Sequence, residues 1–499
     1  MNETENILTH LDGPGPRRIH VLGVAGTGMG SFAGLLKAAG HTVTGSDENV
    51  YPPMSDMLRA WDIEVLTPYK PENLDAARPD LVIVGNVIRR VNPEATAMRE
   101  RGLPHMSFPA ALGELFLAGR HSVVVAGTHG KTTTSALASH VLVAAGRDPS
   151  FLVGGVSRNY DTNFRLGAGP HFVIEGDEYD TAYFDKGPKF LHYRPKSLIL
   201  TSVEFDHADI YRDMAHYESS FEKLAALMPE DGYTAVCAAY PNAVRIAKAA
   251  KGRVETYAAP RTVAVGRPLP QTDATPGGRV EADWTAVNPE LGPDGAHFQV
   301  HFKGKSQGEV HLAIPGLHNV ENALGVYAAL AALGLSHREL AEGMKSFTGV
   351  KRRQELRGEW KGIAIVDDFA HHPTAVAATI PAIAARYPGR RLVALFEPRS
   401  NTSRRNIHQD VYAHSFAGAA RALILAPKPH DQVPADQQLD VPRLARALTA
   451  GGIPSESFDA VEPLAARALE EARPGDVLLV MSNGAFGGLI PKLIEGLSR

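Results

Sequence analysis

The segment Ser122–Thr134, SVVVAGTHGKTTT, carries the strongest structural signal in the chain. Residues 122–126 predict a β-strand, Gly127 and Gly130 predict a tight loop, and a helix-compatible segment follows. A strand, a glycine loop and a helix in this order are typical of a phosphate-binding loop, in which backbone N–H groups surround phosphates. Val125 stands where the common longer form of this loop has its first glycine. We therefore predict an ATP site on the shorter loop GTHGKT; the alternative is a structural turn.

The predicted ATP site uses most of this segment. A lysine in such a loop reaches the terminal phosphates and the following hydroxyl binds Mg²⁺, so Lys131 is a predicted catalytic residue and Thr132 a predicted metal ligand. The predicted ATP-binding residues of the loop are Gly127, Thr128, His129, Gly130, Lys131, Thr132 and Thr133.

Two later segments offer further metal ligands. Glu175 follows the predicted strand 171–174, and phosphate-loop enzymes place a second Mg²⁺-directed acid after such a strand. His207 lies in EFDHAD, past the predicted strand 197–201, and neutral imidazole can bind a metal. The alternatives are an acidic surface turn and a structural histidine. We favour metal binding for Glu175, whereas a lone histidine is by itself more often structural.

The first part of the chain predicts a second nucleotide-type unit. A short strand at 19–22 leads into the glycine-rich GVAGTGMG, followed by a helix at about 31–39, a strand at 41–44 and Asp47. A further strand at 80–84 ends at Gly85-Asn86. This order is Rossmann-like, although Ser31 stands where the last glycine of the usual fingerprint falls. From the residues alone, a nucleotide site and a plain turn remain equally open.

Composition limits the class of protein. The chain has 499 residues, enough for about three domains of ~150 residues. Its net charge of −4 gives no indication of nucleic-acid or membrane-surface binding. The single cysteine, Cys237, cannot form an intrachain disulfide, which fits a reducing cytoplasm. We also expect no signal peptide, because the start of the chain has no apolar stretch preceded by basic residues. We expect no membrane span, because no apolar run approaches ~20 residues.

The remainder predicts an insert and a third unit. Residues 255–310 are rich in Gly, Pro and Thr, and we interpret them as a small antiparallel insert. A Pro315-Gly316 turn then introduces a long helix that ends near Gly334. From about 350 onward, strands at 363–366, 392–396, 422–425 and 477–481 alternate with helical segments such as 375–386, which indicates a second, mainly parallel α/β unit.

Four polar side chains of these later units are candidates for contacts with ATP. Asn319 and Asn322 share a face at a helix start and suit an adenine edge, or they simply cap the helix. Arg353 can stabilise charge on a transferring phosphate from a neighbouring domain, or belong to a solvated basic patch. Asp368, at the end of a strand, can accept hydrogen bonds from a ribose.

Further polar side chains follow the apolar strands 392–396 and 477–481. In open α/β sheets the carboxyl ends of the strands line the binding crevice. Arg399 and Asn401 follow the first of these strands and Asn483 the second, so we predict them as substrate contacts. Arginine binds carboxylates in a bidentate way, and the alternative for Arg399 is a pair with Glu397 that orders the loop.

Taken together, these motifs identify the chain as resembling the Mur ligase family. GTHGKTTT, the acid after the strand, DHAD, HNVEN, an arginine pair and DDFAHHPT follow in the family's order across nearly the whole chain. The resemblance implies an α/β, three-domain architecture: a Rossmann-like UDP-sugar domain at 1–118, a central ATP-binding phosphate-loop domain at 119–348, and a Rossmann-like domain at 349–499 that binds the peptide. It also implies that His207 joins Thr132 and Glu175 as an Mg²⁺ ligand, and that Arg353 joins Lys131, Glu175 and His207 as catalytic residues.

Several segments, among them EGDEYD, EPRSNT and MSNGAFGG, are similar to one branch of the family. That branch uses ATP and Mg²⁺ to join the murein tripeptide L-alanyl-γ-D-glutamyl-meso-diaminopimelate to the lactyl carboxylate of UDP-N-acetylmuramate during peptidoglycan recycling. The resemblance implies a cytoplasmic enzyme without an obligatory protein partner. Its predicted UDP-sugar contacts are Gly26, Thr27, Gly28, Met29, Asp47 and Asn86. The alternative for Asp47 is that it forms a turn and does not contact the UDP-sugar.

Three other functions stay open at this point. The nearest is a UDP-N-acetylmuramate–L-alanine ligase, which uses the same sugar but one amino acid. A folylpolyglutamate synthetase has a similar loop but would not explain the glycine-rich domain that precedes it. A nucleotide-dependent switch protein would need no third domain carrying an arginine towards ATP.

Overall fold

The computed structural model describes residues 15–52, 54–260, 281–428 and 433–499. Within these ranges the strands form three sheets that follow one another along the chain, each covered by helices. The predicted three-part α/β architecture is therefore confirmed. None of the helices in these ranges is both long enough and apolar enough to cross a membrane.

The first sheet carries the glycine-rich loop at its topological switch point. Its strands are β1 (Arg18–Leu22), β2 (Thr42–Ser46), β3 (Glu64–Leu66), β4 (Leu81–Val84) and β5 (His105–Ser107). Its helices are α1 (Thr27–Ala38), α2 (Met54–Ala60), α3 (Glu72–Ala77), α4 (Pro93–Glu100) and α5 (Phe108–Leu112), and a π-helical turn continues the last to Leu117. The parallel order β3-β2-β1-β4-β5 reverses at β1, so the loop after β1 opens a crevice, as predicted for a Rossmann-like unit. Helix α1 begins at Thr27, four residues earlier than predicted.

The central sheet is the largest. Its strands are β6 (His121–Ala126), β7 (Ser150–Ser157), β8 (Thr162–Arg165), β9 (His171–Gly176), β10 (Ser197–Leu200), β11 (Tyr233–Cys237), β12 (Arg253–Ala258), β13 (Trp284–Gly292), β14 (Gly295–Phe302) and β15 (Lys305–Leu312). Its helices are α6 (Lys131–Ala144), α7 (Met214–Ala226), α8 (Pro241–Ala247), α9 (Leu317–Ala332) and α10 (His337–Ser346), with a 3₁₀ turn at Lys189–His192. The strand order is β15-β14-β13-β12-β11-β10-β6-β9-β7-β8. Val123, Val124 and Val125 of β6 are fully buried, because helices cover both faces of the sheet here.

The predicted antiparallel insert is confirmed for β13, β14 and β15, which pair antiparallel with one another. It does not form a separate unit: β12 pairs in parallel with both β11 and β13, so the insert extends the central sheet. Residues 261–280 of the predicted insert lie outside the described ranges.

The third sheet is also mainly parallel, as predicted. Its strands are β16 (Glu355–Trp360), β17 (Ile363–Asp368), β18 (Arg391–Phe396), β19 (Arg421–Leu425), β20 (Ser455–Phe458) and β21 (Asp476–Met481). Its helices are α11 (Pro373–Arg386), α12 (Gln409–Tyr412), α13 (Val441–Ala450), α14 (Val461–Glu471) and α15 (Leu489–Ser498), with 3₁₀ turns at Asn406–His408, Ala435–Gln437 and Phe486–Gly488. The order β16-β17-β21-β18-β19-β20 makes β17, β21 and β18 neighbours, so the loops that follow them meet at one edge.

Candidate active site

The predicted phosphate-binding loop joins β6 to α6 and requires its two glycines. Gly127 has φ +136° and Gly130 has φ +80°, conformations that other residues rarely adopt. A Cβ on Gly127 would lie 2.2 Å from Thr201 Oγ1, and one on Gly130 would lie 2.5 Å from Asn322 Oδ1. Because Gly130 precedes the first residue of α6 without any side-chain cap, the loop presents the free N–H end of a helix.

Lys131, the first residue of α6, is buried against a carboxylate. Its Nζ donates to Gly127 O at 2.6 Å and lies 2.9 Å from Glu178 Oε2. Burial opposes the charge of Lys131, but Glu178 outweighs this and raises the pKa of the lysine. Burial likewise opposes ionisation of Glu178, yet Lys131 lowers the pKa of that carboxyl to about 2. The lysine is therefore held as a cation at the loop.

Thr132 brings the central and third units together. Its Oγ1 donates to Glu175 Oε1 at 2.8 Å and accepts from Arg353 Nη2 at 3.2 Å. The guanidinium also lies over the Phe369 ring, 4.6 Å from its centroid. Three predicted catalytic or metal residues thus meet at one hydroxyl. Glu175 lies inside β9 rather than after it, because the strand extends to Gly176.

His207 joins this group through Glu178. Its Nε2 lies 3.0 Å from Glu178 Oε1, and Tyr217 OH donates to the same oxygen at 3.1 Å. Burial opposes protonation of His207, but Asp206 and Glu178 together raise the pKa of the imidazole. Glu178 therefore bridges the loop lysine and the predicted metal-binding histidine.

Glu178 was not among the predicted site residues. Its signal in the sequence is the run EGDEYD, which offers four acids near the end of a strand. The pattern favoured the first acid, Glu175, and could not indicate that Glu178 turns inward to become fully buried. Both acids approach the loop, one through Thr132 and the other through Lys131.

The loop residues Thr128 and His129 face a second buried acid, Glu204. Thr128 Oγ1 donates to the Glu204 carbonyl at 2.8 Å, and His129 Nε2 lies 2.7 Å from Glu204 Oε2. His372 of the third unit approaches His129, with ring centroids 4.5 Å apart. Burial lowers the pKa of His372 well below its usual range. Glu204 and His372 lie in the motifs EFDHAD and DDFAHHPT but were not predicted as site residues, because their separation of 168 residues gives no indication that they meet. Thr133 is half-buried in the first turn of α6.

The two asparagines are packed against the loop. Asn319 Nδ2 donates to Pro315 O at 2.7 Å, Asn322 Nδ2 approaches Asn319 Oδ1 at 3.4 Å, and Asn322 Oδ1 lies next to Gly130. The alternative that they cap the helix is wrong, because the N-cap of α9 is Gly316 and no side chain caps it. Their contact with adenine stays a prediction.

Asp368 lies at the carboxyl end of β17 but is already engaged. Its carboxylate accepts hydrogen bonds from Gln354 N and Ala370 N, both at 2.8 Å, and from Thr379 Oγ1 at 3.4 Å. Burial raises the pKa of this carboxyl. The structure thus gives Asp368 a role in joining the 351–354 segment to β17, and the ribose contact stays a prediction.

The predicted UDP-sugar residues surround the start of α1. Gly26 is the N-cap of this helix and has no side-chain cap, so Thr27, Gly28 and Met29 occupy an open helix N-terminus. Asp47 accepts hydrogen bonds from the backbone of Ala25, Glu48 and Asn49 at 2.8–3.2 Å. These contacts are those of a turn-forming aspartate, the alternative given above. Asn86 is exposed after β4.

The predicted peptide contacts lie around the carboxyl ends of β18 and β21. Arg399 Nη1 would lie 1.8 Å from a Cβ on Gly484, so its guanidinium rests on the backbone next to Asn483. Asn483 Oδ1 is buried and has no hydrogen-bond partner among the described residues. Glu397 accepts a hydrogen bond from Ser482 Oγ at 2.5 Å. Asn401 is half-buried, and the neighbouring Thr402 accepts from Ala208 N of the central unit.

Comparison with protein families gives one result for all three units. Residues 18–120 match the Mur ligase family catalytic domain, residues 125–330 match the Mur ligase middle domain, and residues 352–484 match the Mur ligase glutamate ligase domain. Together these models span most of the chain.

Comparison with individual proteins gives the same family. The chain is 39% identical to the UDP-N-acetylmuramate–L-alanyl-γ-D-glutamyl-meso-2,6-diaminoheptandioate ligase of Escherichia coli K12, over 97% of this chain and 98% of that one. It is 33% identical to a UDP-N-acetylmuramate–L-alanine ligase of Acidothermus cellulolyticus, over 96% and 94% of the two chains. Its fold matches a crystal structure of a murein peptide ligase from Psychrobacter arcticus with 34% identity and a TM-score of 0.68, over 96% and 98% of the two chains. The chain therefore belongs to the Mur ligase family.

Proposed function

We propose that this protein is an ATP-dependent, ADP-forming ligase that joins L-alanyl-γ-D-glutamyl-meso-diaminopimelate to UDP-N-acetylmuramate. The observation that carries the ligase chemistry is the meeting of Arg353 and Glu175 at Thr132, one residue after Lys131. A third domain thus supplies a cation to the phosphate loop. The choice of tripeptide is supported by the substrate named for the relative that is 39% identical.

The charge of the acceptor determines the mechanism. A carboxylate is a poor electrophile, so the lactyl carboxylate attacks the γ-phosphate of ATP, displaces ADP and forms an acyl phosphate. The neutral alanyl amine of the tripeptide then attacks the carbonyl carbon, and the tetrahedral intermediate expels phosphate as the amine nitrogen loses a proton. Lys131 and Arg353 are the cations nearest the phosphate loop in this proposal, and they stabilise the negative charge that develops in both steps.

The residues around Thr132 fit an Mg²⁺ ion. Thr132 Oγ1 and Glu175 Oε1 are 2.8 Å apart, close to the roughly 3 Å between adjacent ligands of an octahedral ion with bonds of ~2.1 Å. His207 would complete the predicted set after leaving Glu178. Bound Mg²⁺ would supply charge neutralisation at the phosphates.

Removal of either proposed ligand should impair the metal-dependent step. We expect Glu175→Ala and His207→Ala each to lower kcat by ~10²-fold or more, because transition-state charge stabilisation is lost. The measurement is kcat across an Mg²⁺ titration. Asp180→Asn serves as the control, since Asp180 lies in the same acidic run but pairs with Lys186. An unchanged metal dependence in His207→Ala would make this histidine structural.

The first domain should bind the UDP-sugar rather than NAD. The open N-terminus of α1 admits a diphosphate, and the short loop after β1 lies at the switch point of the sheet. Calorimetry on the full chain should detect UDP-N-acetylmuramate binding, which Lys131→Ala leaves largely unchanged because the two sites lie on different domains. Binding of NAD in preference to the UDP-sugar would contradict this assignment.

We propose the domain limits 1–118, 119–348 and 349–499, which fall between the three sheets. The proposed binding partners are two small-molecule substrates, the UDP-sugar and the murein tripeptide. The proposal includes no nucleic acid, no membrane and no obligatory protein partner. We also infer a cytoplasmic location, since ATP and UDP-sugars are made and used there.

One assay tests the whole proposal. Phosphate release is measured with ATP and UDP-N-acetylmuramate in the presence of tripeptide or of L-alanine. We expect phosphate release to require both UDP-N-acetylmuramate and an amine substrate, with a higher kcat/KM for the tripeptide than for L-alanine. Preference for L-alanine would favour the alanine ligase, and ATP turnover without any amine would favour a nucleotide switch.

A further inference from the structure

Three strands at one end of the central sheet place metal-binding side chains in a row. In the antiparallel register, Glu290 of β13 lies directly opposite His297 of β14, and His297 lies directly opposite His311 of β15. Residues in such positions have Cβ atoms ~4.5–5.5 Å apart. A fourth residue, Asp294, comes from the turn that joins β13 to β14.

The two histidines lie on the solvent face of the sheet, and Glu290 and Asp294 are also exposed. Phe298 and Val310, the alternate neighbours of the two histidines, are buried against the core. Because successive side chains of a strand point to opposite faces, His297 and His311 point outward. Their side chains are 51% and 24% exposed, and that of Asp294 is 65% exposed. The group is therefore open to a ligand from solution.

The side chains already converge. His297 Nε2 lies 3.1 Å from Asp294 Oδ2, and His311 Nε2 lies 3.9 Å from the same oxygen. The two imidazole rings are stacked, with centroids 4.1 Å apart and planes within 6°. One ligand atom from each of the three residues lies within 4.8 Å of the others.

We propose that Asp294, His297 and His311, with Glu290 within reach, bind a Zn²⁺ ion on the outer face of the central sheet. Zn²⁺ prefers histidine nitrogen and carboxylate oxygen at about 2.0–2.2 Å, in a tetrahedral arrangement. Adjacent ligands of such an ion are roughly 3.4 Å apart, so shifts of ~1 Å by exposed side chains complete the geometry. The ion replaces the present contacts of the two Nε2 atoms, that of His297 with the Asp294 carboxylate at 3.1 Å and that of His311 with the Asp294 carbonyl oxygen at 3.0 Å, and each neutral ring then carries its proton on Nδ1.

This site is separate from the ATP site and does not depend on the proposed function. In the strand order, β14 lies five strands from β6, which is about 24 Å at the usual strand spacing of ~4.8 Å. A bound ion would tie β14 to β15 at the end of the sheet and stabilise this hairpin. Its effect is on stability and not on the ligase reaction.

The test is a Zn²⁺ titration of the untagged, chelator-treated full chain, by competition with a chromophoric chelator. We expect wild type to bind one more Zn²⁺ ion than His297→Ala/His311→Ala, with a dissociation constant on the order of 1–10 µM, weaker than in closed four-ligand structural sites. His301→Ala is the matched control, because His301 lies on the same strand outside the row. Equal numbers and affinities in wild type and the double variant would overturn the proposal.

Two further measurements distinguish metal loss from misfolding. Asp294→Asn keeps the size of the side chain and removes its charge, and it should weaken the same site by at least ~10-fold. Zn²⁺ should raise the thermal midpoint of wild type and His301→Ala by more than that of the double variant. If the double variant melts early without metal, the Asp294→Asn titration decides, and unchanged binding there contradicts the proposal.

Discussion

Replacement of Lys131 by alanine is expected to lower kcat/KM for ligation by at least ~10³-fold. The lysine is the cation that the loop holds at the N-terminus of α6, where the terminal phosphates of ATP are expected. Loss of a charge that stabilises a transferring phosphate typically costs ~10³- to 10⁵-fold. Phosphate release at saturating UDP-N-acetylmuramate and tripeptide measures the effect, and near-normal turnover would contradict the ATP-site assignment.

The same substitution should also destabilise the fold. Lys131 is paired with Glu178, whose side chain is fully buried, and breaking such a pair costs about 3–5 kcal/mol because one charge is left without its partner. The double variant Lys131→Ala/Glu178→Gln removes both charges and should recover much of this loss in denaturant unfolding. It should not recover activity. Recovery of turnover in the double variant would mean that the lysine acts only through the fold.

The phosphate-binding loop could be predicted from the sequence, whereas the contact between Lys131 and Glu178 could not. The strand, the glycine loop and the helix at 121–144 are local in sequence, so their residue pattern is sufficient to predict them. The partner of Lys131 is 47 residues away, and no local pattern indicates which of the acids in EGDEYD turns inward. Glu178 became visible as a site residue only through its contacts with Lys131 and His207.

Contacts between distant parts of the chain could likewise not be predicted from local sequence patterns. The approach of Arg353 to the loop could be anticipated from its place between two units, yet its partner Thr132 lies 221 residues away. Capping by Asn319 is the local alternative, but α9 already begins at Leu317 with Gly316 as its N-cap, so Asn319 lies inside the helix. Asp368 illustrates the opposite case: its strand-end position was predicted, whereas its engagement by Gln354 N depends on the tertiary fold.

The second large effect is expected for substitution of Arg399, a predicted peptide contact. Arg399→Ala is expected to reduce kcat/KM for the tripeptide by roughly 2–5 kcal/mol of transition-state free energy, with a smaller loss for L-alanine. The tripeptide carries several carboxylates where alanine has one, and arginine binds a carboxylate in a bidentate way. Arg399→Lys keeps the charge without that geometry and should give an intermediate loss. Equal losses for both amines would make Arg399 a structural residue of its loop.

Substitution of Gly484, which the Arg399 guanidinium contacts, provides an independent test of whether Arg399 binds the tripeptide. It is absent from the glycines with positive φ, so an alanine is compatible with its backbone. The obstacle is the guanidinium, since the new Cβ would lie 1.8 Å from Arg399 Nη1. Gly484→Ala should therefore displace Arg399 while leaving its charge in place, and reproduce a tripeptide-specific loss. A variant with unchanged selectivity would show that the position of this guanidinium does not read the peptide, and a wild type that prefers L-alanine would overturn the tripeptide assignment itself.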